Sequence, residues 1–280
     1  MKLHLLLAAV VASASLSASA GSFTAPAGLQ LYSLRGQFTQ NVPKALELTK
    51  SLGVSDVELA GTYNLPPEKF REMLLAAGLN PVSGHFSYDR WKNEPEAVVK
   101  EAQALGLKYA GTAWINHQAP FSEAAARDAV AVFTRAGEAC EKAGIQFFYH
   151  CHGYEFHRHG DGYLMDLLIK ETDPKKVAFQ MDTTWVFFPG HDPAAWLRKY
   201  PGRWVSMHLK DLKKGVERGS LSGGTDPNND VPLGQGQLDW PAILKAAAET
   251  GVKHYFIEDE AAIAPEQIPQ SLKYLREVTW

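Results

Sequence analysis

Four short polar runs each follow an apolar segment of the chain. They are 149–156 (YHCHGYEF), 180–183 (QMDT), 207–211 (MHLKD) and 256–260 (FIEDE). A short apolar run is typical of a buried strand, and parallel α/β sheets carry their chemistry at the C-terminal strand ends. Histidine and carboxylate side chains together bind divalent cations that accept both nitrogen and oxygen ligands, namely Mn, Zn, Co or Fe. The pattern predicts that the four runs form one metal site.

Strand alternation indicates which of these side chains share a face. Successive residues of a strand point to opposite sides, so residues two apart lie on the same side. In each run one face collects the polar groups, and in a closed barrel that face is the interior, where a charge must be paired or ligated. These faces hold Phe148, His150 and His152; Gln180 and Asp182; Ser206, His208 and Lys210; and Phe256, Glu258 and Glu260.

The elements that must position these residues alternate along the chain. The predicted strands are 29–33, 57–60, 81–87, 109–112, 146–152, 177–182, 205–210 and 254–259. The predicted helices are 42–52, 66–77, 95–105, 122–143, 162–170, 192–199, 240–250 and 265–278. Strand-helix repetition predicts a parallel sheet, and eight units in roughly 250 residues predict a (β/α)8 TIM barrel.

An open doubly wound sheet is the alternative architecture, because it shows the same alternation. Its glycine-rich fingerprint is absent after the first predicted strand, and the Gly-x-Gly at 234–236 lacks a further glycine two residues on. These observations favour the barrel, as a single domain over residues 21–280. The irregular stretch 213–238, between the seventh and eighth strands, is expected to be a lid or a mobile connection.

The first twenty residues predict a secretory signal. Lys2 precedes an apolar stretch and small residues that end at Ala20, so cleavage is expected before Gly21. The apolar stretch is shorter than the roughly 20 residues that span a bilayer, which argues against a membrane anchor. We therefore expect an exported protein without a membrane segment after cleavage, periplasmic where the host has two membranes.

Composition narrows the class of partner. The formal net charge is -3, which provides no basic surface for nucleic acid. Cys140 and Cys151 are the two cysteines, so no disulfide framework exists; two free thiols are expected, with a single bridge as the alternative. The sequence leaves the oligomeric state open.

The motifs resemble the sugar phosphate isomerase/epimerase family with the xylose isomerase-like barrel. The resemblance implies a Glu-Asp-His-Glu divalent metal site formed by Glu155, Asp182, His208 and Glu258. Glu155 lies beyond the predicted end of the fifth strand, so His150 is the alternative fourth ligand. On the eighth strand the ligand could shift from Glu258 to Glu260. The motifs that carry the resemblance are 29–35, 57–61, 149–156, 181–183, 208–211, 234–236, 239–240 and 256–260.

The resemblance also implies the chemistry. Members of the family use the metal as a Lewis acid beside a sugar carbonyl, and a base removes the neighbouring proton. The candidate bases are His152, His150 and His85, and Lys210 is placed to steady an oxyanion. Aromatic residues near the strand ends, such as Tyr32 and Trp185, could stack on a sugar ring.

The expected function is therefore isomerisation or epimerisation of a sugar or keto-sugar. One alternative is a lyase that eliminates from a keto-glycoside through the same enolate chemistry. A second is a non-catalytic, exported carbohydrate-binding protein, and metal-assisted hydrolysis ranks last. The predicted export favours a substrate without phosphate. The absence of a phosphate-binding motif from the sequence favours the same conclusion.

Overall fold

Eight parallel strands form a closed barrel in the computed structural model, which describes residues 21–280. Each strand pairs with its neighbours in chain order, and the last pairs with the first, which confirms the predicted (β/α)8 barrel. The predicted signal peptide lies outside the described residues. The strands are β1 (Ala27–Gln30), β2 (Asp56–Leu59), β3 (Asn80–His85), β4 (Tyr109–Thr112), β5 (Gln146–His150), β6 (Val177–Asp182), β7 (Trp204–Leu209) and β8 (His254–Ile257).

Helices surround the barrel. They are α1 (Arg35–Gln40), α2 (Val42–Ser51), α3 (Pro67–Ala76), α4 (Tyr88–Asn93), α5 (Pro95–Leu105), α6 (Glu123–Lys142), α7 (Leu164–Lys170), α8 (Thr183–Phe187), α9 (Pro193–Lys199), α10 (Trp240–Thr250) and α11 (Ala264–Glu277). All the predicted helices are present, with ends that differ by at most two residues. The short helices α1, α4 and α8 were not predicted, because five or six residues are too few to show a helical period.

Four predicted strands, the first, third, fifth and eighth, end two or three residues earlier than expected. β1 stops at Gln30, and Leu31–Leu34 form a 3-10 helix whose first turn is capped by the Gln30 side chain accepting from the Tyr32 amide. β5 stops at His150, and Tyr154–Phe156 form another 3-10 helix. Polar side chains at a strand end bond to local backbone groups in this way and turn the chain out of the sheet.

The barrel interior is layered. Phe148, Ala178 and Val205 form a small apolar cluster separate from the main core, and polar residues of the same strands follow toward the C-terminal ends. A register shift between β6 and β7 lets Trp204 turn outward, where its indole donates to the Trp196 carbonyl at 3.1 Å. Ser206 nevertheless bonds to interior Gln180, so β7 presents its polar side chains inward as predicted.

The stretch 213–238 is a braced loop. Asp211–Leu212 pair antiparallel with Asp230–Val231, which closes the base of the loop. The Asp211 carboxylate accepts from the amides of Gly234 at 2.9 Å and Gly236 at 3.1 Å, and from the Trp240 indole at 2.8 Å. A side chain at Gly236 would collide with the Asp211 carboxylate, so glycine is required there. The loop is thus fixed at both of its ends.

Two further expectations are answered within residues 21–280. Cys140 and Cys151 are both free and buried, as expected of structural thiols. Within the described part of the chain, no helix has the length and apolar character needed to cross a membrane.

The Asp211 brace generates a stability prediction. Asp211→Ala leaves buried amide and indole donors without an acceptor, and each such loss costs about 1–3 kcal/mol. We expect a lower free energy of unfolding and faster amide hydrogen exchange across residues 213–238. Asp226→Ala is the matched control, because this residue of the same loop is exposed and its side chain bonds only to Asn228 within the described structure. Equal behaviour of the two variants would contradict the brace.

Candidate metal centre

Three residues from the ends of neighbouring strands converge in the barrel. Asp182 ends β6, His208 lies in β7 and Glu258 follows β8, and one donor atom of each lies within 4.8 Å of the others. Nδ1 of His208 is 3.1 Å from Oε2 of Glu258 and 3.9 Å from Oδ2 of Asp182. All three side chains are buried. The structure therefore brings together three of the four residues that the sequence nominated as ligands.

Glu58 on β2 holds the other side of the His208 ring. Its Oε1 lies 2.5 Å from Nε2 of His208, and its carboxylate also accepts from Ser83 at 2.5 Å and from Gln180 at 2.8 Å. Burial raises the pKa of Glu58, but His85, His208 and these hydrogen bonds together lower it to about 2. Glu58 is thus a fully ionised carboxylate at the centre of the barrel.

The sequence reasoning missed Glu58 as a site residue. A usable signal existed, because Glu58 is the one carboxylate in the predicted strand 57–60, where it lies between Val57 and Leu59. Strand parity places it on the interior face, where an unpaired charge is costly.

His208 has one nitrogen on each side of this arrangement. Burial lowers the pKa of His208, but Glu258 and Glu58 raise it to about 10, so the ring is protonated between two carboxylates. A histidine that binds a metal through one nitrogen commonly donates its other N–H to a carboxylate, which fixes the ring and its tautomer. Nδ1 of His208 faces the other two candidate ligands, and Nε2 faces Glu58.

Asp182 provides the test of whether a cation fits. Oδ1 accepts from the Trp185 amide at 2.9 Å, whereas buried Oδ2 has no hydrogen-bond partner among the described residues. Burial raises the pKa of Asp182 to about 7. An unpaired carboxylate oxygen beside an imidazole and a second carboxylate suits a divalent cation with bonds of about 2.0–2.2 Å. The residues therefore fit the metal that the family resemblance implies.

Glu155 lies apart from this group. Its carboxylate accepts from the Tyr149 hydroxyl and, at 2.8 Å, from the His152 amide. The chain turns at Gly153, where φ is 93°, and the 3-10 helix that follows directs Glu155 toward the outward-facing Tyr149. Burial raises the pKa of Glu155 to about 7. This placement differs from the ligand role that the resemblance implies, because the turn directs Glu155 to the outward-facing side of β5, where Tyr149 lies.

His150 lies closer to the centre than Glu155. One donor atom each of His85, His150 and His208 lies within 4.8 Å of the others. Oε1 of Gln180 contacts Nε2 of His85 at 3.0 Å and Nδ1 of His150 at 2.9 Å. Burial lowers the pKa of both His85 and His150, so both rings are neutral at pH 7. His150, the alternative ligand named from the sequence, is thus placed beside His208.

His152 faces the pocket from the turn after β5. Its ring stacks on Trp185 with centroids 4.7 Å apart, and its buried Nδ1 has no hydrogen-bond partner among the described residues. Burial, followed by the charge of Lys210, lowers the pKa of His152 to about 4. His152 therefore offers a neutral imidazole with an unused nitrogen.

Lys210 is a buried cation next to the candidate ligands. Its ammonium pairs with Glu260 and lies 3.5 Å from Oδ2 of Asp230 and 3.6 Å from Oε2 of Glu258. Burial lowers the pKa of Lys210, but Asp230, Glu258 and Glu260 raise it well above its usual value. Glu260 is thus occupied by Lys210, while Glu258 faces His208.

Several of these groups, the four histidines and Glu258 among them, line a cavity of about 350 Å³ at the C-terminal end of the barrel. Aromatic Tyr32, 43% exposed, and Trp185 form parts of its wall, and the loop after β7 covers it with residues 223–225 and Pro227. The polar lining residues are Gln30, His85, His150, His152, His208, Thr225, Asp230, Glu258 and Glu260. A volume of this size accommodates a small polyhydroxylated molecule.

The chain is similar to known proteins in both sequence and structure. The family model described as xylose isomerase-like TIM barrel matches residues 46–278. The chain belongs to this family. The family predicted from the sequence motifs is thereby confirmed.

Curated relatives of this chain are named inosose dehydratases. An inosose dehydratase of Geobacillus thermodenitrificans is 29% identical over 51% of this chain and 51% of its own length. Another, from Lactiplantibacillus plantarum, is 26% identical over 77% and 72%. This chain spans about half the length of the first of these curated relatives. Both names are those of enzymes, which agrees with the enzyme class predicted from the sequence.

Solved structures agree with the fold. A sugar phosphate isomerase/epimerase from Parabacteroides distasonis has a TM-score of 0.76 and 26% identity over 94% of this chain and 98% of its own. The IOLI protein, solved with a zinc atom, has a TM-score of 0.71 and 16% identity over 89% of this chain and 95% of its own. The latter likeness shows the fold alone.

The Glu58 contact generates a prediction for this family member. Glu58→Gln removes the negative charge that orients His208, and loss of such a partner typically lowers metal affinity about 10–100-fold. Calorimetric titration of the purified protein with Mn(II) measures the change. Glu47→Gln, on the exposed side of α2, is the control and should bind Mn(II) as the unmodified protein does. Unchanged affinity in Glu58→Gln would show that the ring needs no such partner.

Proposed function

We propose that the chain is a divalent-metal-dependent enzyme that removes a proton beside the carbonyl of a sugar or keto-sugar, giving isomerisation or epimerisation. The observation that carries the proposal is the buried convergence of Asp182, His208 and Glu258, of which His208 and Glu258 line the cavity. The names of the relatives support the reaction class.

Asp182, His208 and Glu258 would hold the cation, and His150 is the nearest candidate for a fourth ligand. When bound, a divalent cation supplies Lewis-acid polarisation of a carbonyl or hydroxyl oxygen. Glu58 contributes by holding the His208 ring in one orientation. Gln180 contributes by fixing the rings of His85 and His150 through its amide oxygen.

His152 is the candidate best placed to remove the substrate proton. Its neutral ring lines the cavity, and Nδ1 is unused, whereas His85 and His150 both contact Gln180. A base must be unprotonated before it reacts, and a pKa of about 4 satisfies that at pH 7. Stacking on Trp185 holds the ring in place.

Lys210 would stabilise the negative oxygen that develops when the proton leaves. Its buried ammonium remains charged because of the surrounding carboxylates. A fixed positive charge in a desolvated site acts more strongly than one in water.

A lyase is the second candidate, favoured by the dehydratase names of the curated relatives. The same proton removal would then be followed by loss of a hydroxyl from the β-carbon. We further propose a substrate without phosphate, because the N-terminal twenty residues predict export to a compartment where free sugars are more common.

Proton exchange by the protein should depend on a divalent metal. Purified protein with Mn(II) should exchange the proton beside the carbonyl of 2-keto-myo-inositol or of free ketohexoses with deuterated solvent, as measured by NMR. Asp182→Asn and His208→Ala should reduce the exchange at least 100-fold, whereas Glu47→Gln should leave it unchanged. A new alkene or dehydrated product in the same spectra identifies the lyase. Exchange that survives EDTA would contradict the proposal.

The second prediction concerns the base. His152→Asn should lower kcat about 10²–10⁴-fold, because general-base catalysis contributes this range. Mn(II) affinity should stay within about threefold, since the proposed metal ligands are other residues. His159→Asn, in the surface hairpin at 158–163, is the control. If His152→Asn keeps its kcat, the base is another residue of the cavity, and the His85 and His150 variants are next.

A further inference from the structure

Asp230 brings a carboxylate into the cavity from the loop between β7 and β8. It lies on the returning side of that loop, where its backbone pairs with Leu212, and its side chain lines the cavity. Only 3% of Asp230 is exposed. None of the motifs that carry the family resemblance includes this residue, so its position is a separate observation.

The two oxygens of Asp230 have different surroundings. Oδ2 accepts from the Glu260 amide at 2.8 Å and lies 3.5 Å from Nζ of Lys210. Oδ1 is buried and has no hydrogen-bond partner within residues 21–280. A buried carboxylate oxygen without a donor is unfavourable, so this atom is one that a bound molecule would satisfy.

The charges nearby define what kind of group fits there. The Lys210 ammonium already supplies a cation to Oδ2 of Asp230. Asp230 and Glu260 are two carboxylates against this one ammonium, which disfavours a phosphate or carboxylate on the ligand. A neutral donor remains, and the hydroxyl group of a sugar is such a donor.

The position suits a hydroxyl away from the reacting carbon. Lys210 contacts both Glu258 and Asp230, so one ammonium group separates the metal centre from the Asp230 carboxylate. A sugar whose carbonyl lies at the metal centre would extend its other hydroxyls across the cavity. A buried acceptor that a ligand hydroxyl satisfies discriminates well against ligands that lack this donor.

We propose that Asp230 is a substrate-binding residue, which accepts a hydrogen bond from a hydroxyl of a neutral sugar and so gives the loop a direct part in substrate selection. This inference rests on the proposed function, because it assumes that a sugar occupies the cavity.

Binding measurements test the proposal. Mn(II)-loaded protein is titrated by calorimetry with 2-keto-myo-inositol and with its monodeoxy analogues, and KM and kcat for proton exchange are measured separately. Asp230→Ala should weaken sugar binding and raise KM roughly 10- to 100-fold, since a buried hydroxyl donor of the sugar loses its acceptor. Mn(II) affinity should not change. Asp226→Ala, in the same loop, should behave as the unmodified protein.

Two comparisons separate substrate binding from a structural role. A purely structural role predicts that Asp230→Ala weakens binding of the parent sugar and of every monodeoxy analogue by the same factor, whereas we expect one analogue to be unaffected. The monodeoxy analogue that lacks the bound hydroxyl should bind the unmodified protein less tightly, yet bind Asp230→Ala no worse than the parent sugar does.

The outcomes also distinguish this inference from the proposed function. Sugar binding that depends on Asp230, without any proton exchange, would support the inference and refute the proposed reaction. Proton exchange with a normal KM in Asp230→Ala, or an equal loss of affinity for the parent sugar and every monodeoxy analogue, would overturn the inference alone. A protein that binds none of the sugars would overturn both.

Discussion

The site depends on how ionised groups are kept inside a barrel that excludes water. His208 lies between Glu58 and Glu258, and each of its ring nitrogens faces one carboxylate. An unpaired charge in this interior would be strongly unfavourable, and removal of one partner would leave the other uncompensated. The polar layer is therefore a single unit, in which Gln180 links Glu58 to His85 and His150. Ring orientation and protonation states follow from that unit, and the proposed metal binding would depend on it.

Strand parity predicted much of this site from the sequence alone. The apolar runs marked the barrel strands, and alternation placed Asp182, His208 and Glu258 on one face, as the structure has them. Strand parity predicts the interior side chains because a strand has only two faces, and a charged side chain on the buried face must be paired or ligated. It fails where the strand ends, since beyond His150 the chain leaves the sheet and the direction of each side chain depends on local turns.

Glu155 and Glu58 illustrate what the sequence did not show. The position of Glu155 depends on the turn at Gly153 and on a hydrogen bond to Tyr149, neither of which a motif encodes. Glu58 belongs to a strand far from the metal runs in the chain, and only closure of the barrel brings it to His208. Contacts between distant strands follow from the circular order of the sheet, which is a property of the whole fold.

The paired segments at the base of the loop after β7 separate the rest of that loop from the barrel. Asp211–Leu212 and Asp230–Val231 hold fixed positions beside the barrel, and Asp211 fastens the chain that follows. The residues between these anchors can change in length or composition while the anchors keep Asp230 and the strand ends in register. Insertions and deletions are tolerated at such places, because they cross no ladder of the barrel. The loop that covers the cavity can therefore change in evolution while the strand ends beneath it stay the same. Relatives with the same chemistry are free to diverge in this loop.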